Sequence, residues 1–188
     1  VATIYEAGET EDGRLYLASE LVEGSTLKDV VDQGRLAPDR VIEIGIQLAE
    51  ALEAAHAKGA IHRDIKPSNL MLTSDDRIKV LDFGLARLAR SEVDSSETRD
   101  DRDPPRPVDQ TQEGVVVGTP AYMSPEQASG RKVDHRTDVF SAGCVLYELV
   151  TGRSPFHSGS VPATLRRVLT EEPPSISSSA EGIPPGLD

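Results

Sequence analysis

Apolar and polar residues alternate through residues 1–7 and again through 14–22, with Glu11-Asp12-Gly13 between the two runs. A period of two on both sides of a turn predicts an antiparallel hairpin. Glu23-Gly24-Ser25 breaks the alternation, and a short helix is expected over 26–33. Pro38-Asp39 then marks a helix start, because proline suits the first turn and an acid suits the positive end of the helix dipole. Val41, Ile44, Leu48, Leu52 and Ala55 recur every three or four residues, so one face of this helix should be buried, with an end near Gly59. Residues 70–72 and 78–81 read as two short strands around an Asp75-Asp76 turn. Strongly apolar spacing returns over 137–151, closed by Gly152, and more weakly over 161–171.

Between these elements the pattern lapses. Serines, charges and Pro104, Pro105 and Pro107 replace the apolar periodicity over 90–113. A stretch of this length without a period reads as a functional or partly disordered loop, with order expected to return at 115–120. The charge balance of -12 argues against a general nucleic-acid or anionic-membrane surface, although a local basic pocket for one polyanion remains compatible with it. The single Cys144 excludes an internal disulfide framework and a zinc-ribbon site, and fits a reducing, cytoplasmic setting. No apolar run is long enough to span a bilayer. The opening at Val1 and the loop-like end are read as cuts, so a piece of a longer chain is expected.

Chemistry concentrates where the apolar pattern gives way to Ala60-Ile61-His62-Arg63-Asp64-Ile65-Lys66-Pro67-Ser68-Asn69. Asn69 stands at the entrance of one short strand and Asp82 ends the next. Antiparallel pairing would bring both to one sheet edge. A carboxylate and an amide oxygen there are hard ligands of the kind Mg²⁺ takes alongside substrate phosphates. Asp64 remains as a proton acceptor or hydroxyl-orienting group, and Lys66 adds a positive charge where phosphoryl charge would develop.

The ordered set His62-Arg63-Asp64, Lys66, Asn69, then Asp82-Phe83-Gly84, then Ser124-Pro125-Glu126 resembles the signature of protein kinases, and the resemblance covers nearly the whole chain. Lys66 and Gly118-Thr119-Pro120 resemble the serine/threonine branch. Ala55-His56-Ala57-Lys58-Gly59 and Met123-Ser124-Pro125-Glu126-Gln127 resemble bacterial kinases of eukaryotic type. The resemblance implies an α+β, two-lobed fold, with 1–22 the end of the small lobe and hinge, 23–188 an incomplete large lobe, and 85–118 a long activation loop. It implies transfer of the γ-phosphate of ATP to Ser or Thr hydroxyls of proteins, with Mg²⁺ (Mn²⁺ as an alternative) and with self-association for autophosphorylation in trans. It further implies a cytoplasmic domain, tethered in some relatives by a membrane segment outside these residues.

Roles follow by position. Asp64 would accept or orient the substrate hydroxyl, Lys66 would steady the γ-phosphate, and Asn69 and Asp82 would hold the metal. Thr119 would tie the substrate-binding segment to Asp64 and Lys66. Glu20 and Val22 would offer backbone groups to adenine, Ser19 would be the gatekeeper, and Met71 would lie under the ring. His62 and Phe83 would stack in a regulatory spine, and Asp138 would brace the catalytic loop. Arg63 would pair with a phosphate on the loop, best placed on Thr111. Glu126 would bind a late arginine that this sequence does not supply. The Gly-rich phosphate loop and the small-lobe lysine are also not in this sequence, so the 188 residues alone are expected to be inactive. The alternative is a pseudokinase or regulatory module that contacts partners through the large lobe. His56, His135 and His157 lack metal-ligand spacing and are expected at the surface, and Cys144 is expected as inert core.

Overall fold

The computed structural model describes residues 1–10, 12–82, 120–178 and 183–184. Its first element is the expected hairpin. β1 (Ile4–Glu9) pairs antiparallel with β2 (Leu15–Ser19), Ala7 opposite Leu17 and Gly8 opposite Tyr16. The chain then enters a second sheet of three antiparallel strands, ordered β3 (Gly24–Thr26), β4 (Leu70–Thr73), β5 (Ile78–Val80). The Ala2 N–H donates to the Val80 carbonyl at 2.9 Å and links the start of the chain to β5.

β3 departs from the sequence expectation, which had Glu23-Gly24-Ser25 as a break. Three mostly polar residues are too few to show a period of two. Gly24 makes the pairing sterically feasible: its φ is +148°, and a Cβ there would come within 2.2 Å of the Leu72 carbonyl oxygen. Thr26 ends β3 and caps α1 (Leu27–Gln33). Its hydroxyl accepts from the Asp29 N–H while the Asp29 carboxylate accepts from the Thr26 N–H, a reciprocal capping box.

α2 (Pro38–His56) buries Val41, Ile44, Leu48, Leu52 and Ala55, the five positions that the periodicity selected. It stops three residues before Gly59, which follows in a left-handed turn. α3 (Pro125–Ala128) is a single short turn of helix that the apolar pattern does not signal. Ser124 caps it, and Gln127 returns the bond to the Ser124 N–H. α4 (Arg136–Thr151) ends at Gly152 in the left-handed region, φ +81°. α5 (Val161–Thr170) is capped by the Ser160 hydroxyl.

One apolar core joins these parts. Leu27 of α1, the buried face of α2, Ile65, Leu70 of β4, Ile78 and Val80 of β5, and Val145, Leu149 and Val150 of α4 pack together. A smaller cluster holds Cys144, Phe156 and Val168, with the Phe140 and Phe156 rings stacked 5.7 Å apart. The α+β arrangement is therefore the expected one: a small antiparallel part and a helical part, with the loop between α2 and β4 lying where they meet. Among the described residues no helix is long and apolar enough to cross a membrane. The run 90–113 and the return to order over 115–119 lie outside the described residues. Pro120 opens the 3₁₀ turn Pro120–Tyr122.

Candidate active site

A buried carboxylate fixes the backbone of the loop after α2. The Asp138 carboxylate, fully buried in the first turn of α4, accepts from the His62 N–H at 2.9 Å and the Arg63 N–H at 2.8 Å. His56, at the end of α2, brings Nε2 to 2.8 Å from the same carboxylate. This corrects the expectation that His56 is a surface residue: its side chain is only 16% exposed because it closes over Asp138. His135 and His157 are exposed.

His62 is buried, and its ring is polarised from both sides. The Asp64 N–H donates to Nδ1 at 3.2 Å, so the proton sits on Nε2, which donates to the Leu81 carbonyl at 2.7 Å. The ring thus ties the loop to the end of β5, one residue before Asp82. Arg63 adopts a left-handed backbone, φ +68°, at a cost of about 1–3 kcal/mol for a residue with a Cβ. The anchors on either side hold it there.

The Asp64 side chain is 49% exposed. Its Oδ2 accepts from Lys66 Nζ at 2.7 Å and from Asn69 Nδ2 at 3.0 Å. Asn69 Nδ2 also donates to the Asp64 carbonyl at 2.9 Å, so both amide protons face Asp64 and the amide oxygen is left to ligate a cation. The 3₁₀ turn Pro67–Asn69 delivers Asn69 into β4, and its carbonyl accepts from the Leu81 N–H at 2.8 Å. That bond extends the β4–β5 ladder and sets Asp82 beside Asn69. Asp82 is exposed and left-handed, φ +56°. Asp64, Lys66 and Asn69 are thus bonded together at the sheet edge, and Asp82 follows the adjoining strand one residue after Leu81.

Asp82 also lines a cleft of about 220 Å³ with Ala2, Ile4, Leu17, Ser19, Glu20, Leu21, Val22 and Leu81. Ser19, Glu20 and Val22 were expected there. The apolar walls from Ala2, Ile4, Leu17 and Leu81 were not, since nothing marks an apolar residue in or beside a strand as facing a cleft rather than a core. Met71 is buried on β4 opposite Lys79 and is not among the lining residues. The Glu20 N–H is bonded to the Thr3 carbonyl at 2.8 Å, so only its carbonyl is left to meet a ligand. Its carboxylate pairs with Lys79, and that ammonium, aided by the Thr3 N–H, holds the carboxyl below its usual range. Glu126 is half-buried in the first turn of α3, and no acid–base pair involves it among the described residues. Phe83, Thr111 and Thr119, expected in the spine, as phospho-acceptor and as a tether to Asp64, lie outside the described residues.

The protein kinase domain model matches residues 1–181. The chain belongs to the protein kinase domain family. Serine/threonine-protein kinase PknB of Mycolicibacterium smegmatis is 41% identical over 192 residues, covering 100% of this chain and 28% of that relative. PknB of Mycobacterium tuberculosis is 39% identical with the same coverage. Serine/threonine-protein kinase pkn3 of Myxococcus xanthus is 41% identical over 177 residues, covering 92% of this chain and 30% of that relative. The chain thus spans less of these relatives than it leaves out.

Proposed function

We propose that this chain carries the catalytic loop and metal edge of a serine/threonine protein kinase, which transfers the γ-phosphate of ATP to hydroxyls of protein substrates, its own second copy included. The observation that supports this most is the bonded cluster of Asp64, Lys66 and Asn69, with Asp82 lining the adjacent apolar-walled cleft one residue after the Leu81–Asn69 backbone bond that extends the β4–β5 ladder. The donor set fits a hard divalent cation: one carboxylate, and one amide whose protons are engaged elsewhere. Mg²⁺ held by Asn69 and Asp82 would neutralise charge on the nucleotide phosphates, with Mn²⁺ as the alternative ion.

The chain's own residues supply positioning. Both donors to the Asp64 carboxylate fall on Oδ2, which leaves Oδ1 to take a hydrogen bond from the incoming hydroxyl. Half-exposure of Asp64 suits a hydroxyl presented by a macromolecule. Lys66, hydrogen-bonded to Asp64, stands within reach of the transferring group and would shift toward its charge. The cleft walls and the Glu20 carbonyl would take the purine. In the same reading, a phosphate on Thr111 pairs with Arg63, and the domain works in the cytoplasm, tethered by a segment outside these 188 residues. Phosphosite mapping after autophosphorylation should find Thr111 modified; an unmodified Thr111 in active protein removes that role.

The test is transfer of label from γ-labelled ATP to a general protein substrate by the full-length protein. Labelled Ser and Thr, dependent on Mg²⁺, are expected, and the 188 residues alone should give negligible transfer. Full-length protein that binds nucleotide but never labels protein would favour a partner-binding role and overturn the proposal.

A further inference from the structure

The backbone of Arg63 is held on either side of its Cα by side chains from separate elements. Its N–H donates to Asp138 of α4, as described. Its carbonyl accepts from Gln127 Nε2 at 2.7 Å. Gln127 is the third residue of α3, and its other amide atom, Oε1, accepts from the Ser124 N–H at 3.0 Å. Ser124 in turn lies 2.6 Å, oxygen to oxygen, from Thr137, the neighbour of Asp138. The first turn of α4, the α3 cap and the catalytic loop therefore close a triangle, and Gln127 is the side that joins α3 to the loop.

A left-handed non-glycine residue persists only when its surroundings over-determine it. The carbonyl of Arg63 belongs to the same peptide plane as the Asp64 N–H, which donates to His62 Nδ1. Turning that peptide would swing the Asp64 N–H off His62 and move the carboxylate that the hydroxyl must meet. A displacement near 1 Å at a reacting group is enough to cost orders of magnitude in rate.

We infer that Gln127 is a positioning residue for phosphoryl transfer: its amide N–H₂ locks the Arg63–Asp64 peptide, and so couples the seating of α3, just after the substrate-binding segment, to the orientation of Asp64. The inference rests on Asp64 acting as proposed above. It assigns Gln127 no contact with nucleotide or substrate.

Chemistry supplies a sharp test. Gln127→Glu keeps an acceptor for the Ser124 N–H, and Glu is a favoured partner in such a cap. It replaces the donor toward the Arg63 carbonyl with an oxygen. Gln127→Met removes both bonds at similar size. In full-length protein, Gln127→Glu should lower kcat by about tenfold and leave the KM for ATP unchanged, with a lower unfolding temperature because its carboxylate oxygen faces the Arg63 carbonyl. Amide hydrogen exchange over residues 61–66 should rise about tenfold, with residues 136–151 unchanged. Gln127→Met should show the same kinetic loss together with a lower unfolding temperature.

Wild-type kcat and wild-type exchange at 61–66 in Gln127→Glu would overturn the inference. So would a loss of kcat in which exchange rises equally over 61–66 and 136–151, since that is what general loosening of the fold gives. Should Gln127→Glu fail to fold, exchange at 61–66 in Gln127→Met, compared with 136–151, decides the matter. A wild-type protein that transfers no label defeats the kinase reading, while the exchange comparison still decides whether Gln127 holds the loop.

Discussion

Asp138 uses both carboxylate oxygens on the backbone of the loop that carries Asp64 while it is wholly buried. An amide in its place offers one acceptor and turns a donor toward a donor. Asp138→Asn should therefore destabilise the fold by about 2 kcal/mol, through a buried N–H left without a partner, and urea unfolding of the full-length protein measures it. It should also lower kcat, because the loop carrying Asp64 loses its brace. At this scale the sequence was informative wherever the chemistry is local. Asp64, Lys66 and Asn69 lie within six residues of one another, so the bonds among them could be argued from letters alone. His56 could not be, because its partner is 82 positions away and no short spacing announces such a pair. Gln127 was hidden for the same reason, by a contact 64 positions long.

Helices were legible where burial imposed a period, and strands where they were long enough to alternate. α2 and α4 were placed within a few residues because each presents an apolar face over at least four turns. β4 and β5 are as short but showed as apolar runs on either side of the Asp75-Asp76 turn; β3 and α3 escaped because they are both short and mostly polar, and specific bonds hold them instead. The cap of α1 can be tested directly. Thr26→Ala should cost about 1 kcal/mol at neutral pH, read from the unfolding midpoint. The Asp29 carboxyl sits below its ordinary value because it accepts the Thr26 hydroxyl and then the Thr26 N–H. A lowered folded value means that its contribution is present above pH 3.8 and fades as pH falls through the lower value. The penalty of Thr26→Ala should accordingly shrink in acid; a penalty that is constant down to pH 2 would contradict the capping box.

Across the whole molecule, one core supports both the sheet edge and the loop. Leu149 is fully buried between α4, α2 and the strands, so Leu149→Ala should cost about 2–5 kcal/mol and loosen the site with the fold. Burial also pushes the Cys144 thiol up to about 12. The unfolded thiol ionises near 9.0, so stability should fall as pH rises from 9 toward 12, and the native protein should resist a disulfide reagent at pH 8 that labels it at once in denaturant. Rapid native labelling would contradict the packing around α4.

The central claim is a division of labour at one sheet edge: Asp64 meets the hydroxyl, while Asp82 with Asn69 meets the cation. The most direct measurement sets Asp64→Asn beside Asp82→Asn in the full-length protein, with phosphate transfer and Mg²⁺-dependent nucleotide binding read on the same samples. Asp64→Asn should lose transfer by about 10²–10⁴-fold while binding Mg-nucleotide as the wild type does, and Asp82→Asn should lose both. Wild-type transfer in both variants, or loss of nucleotide binding in Asp64→Asn with retention in Asp82→Asn, would contradict it.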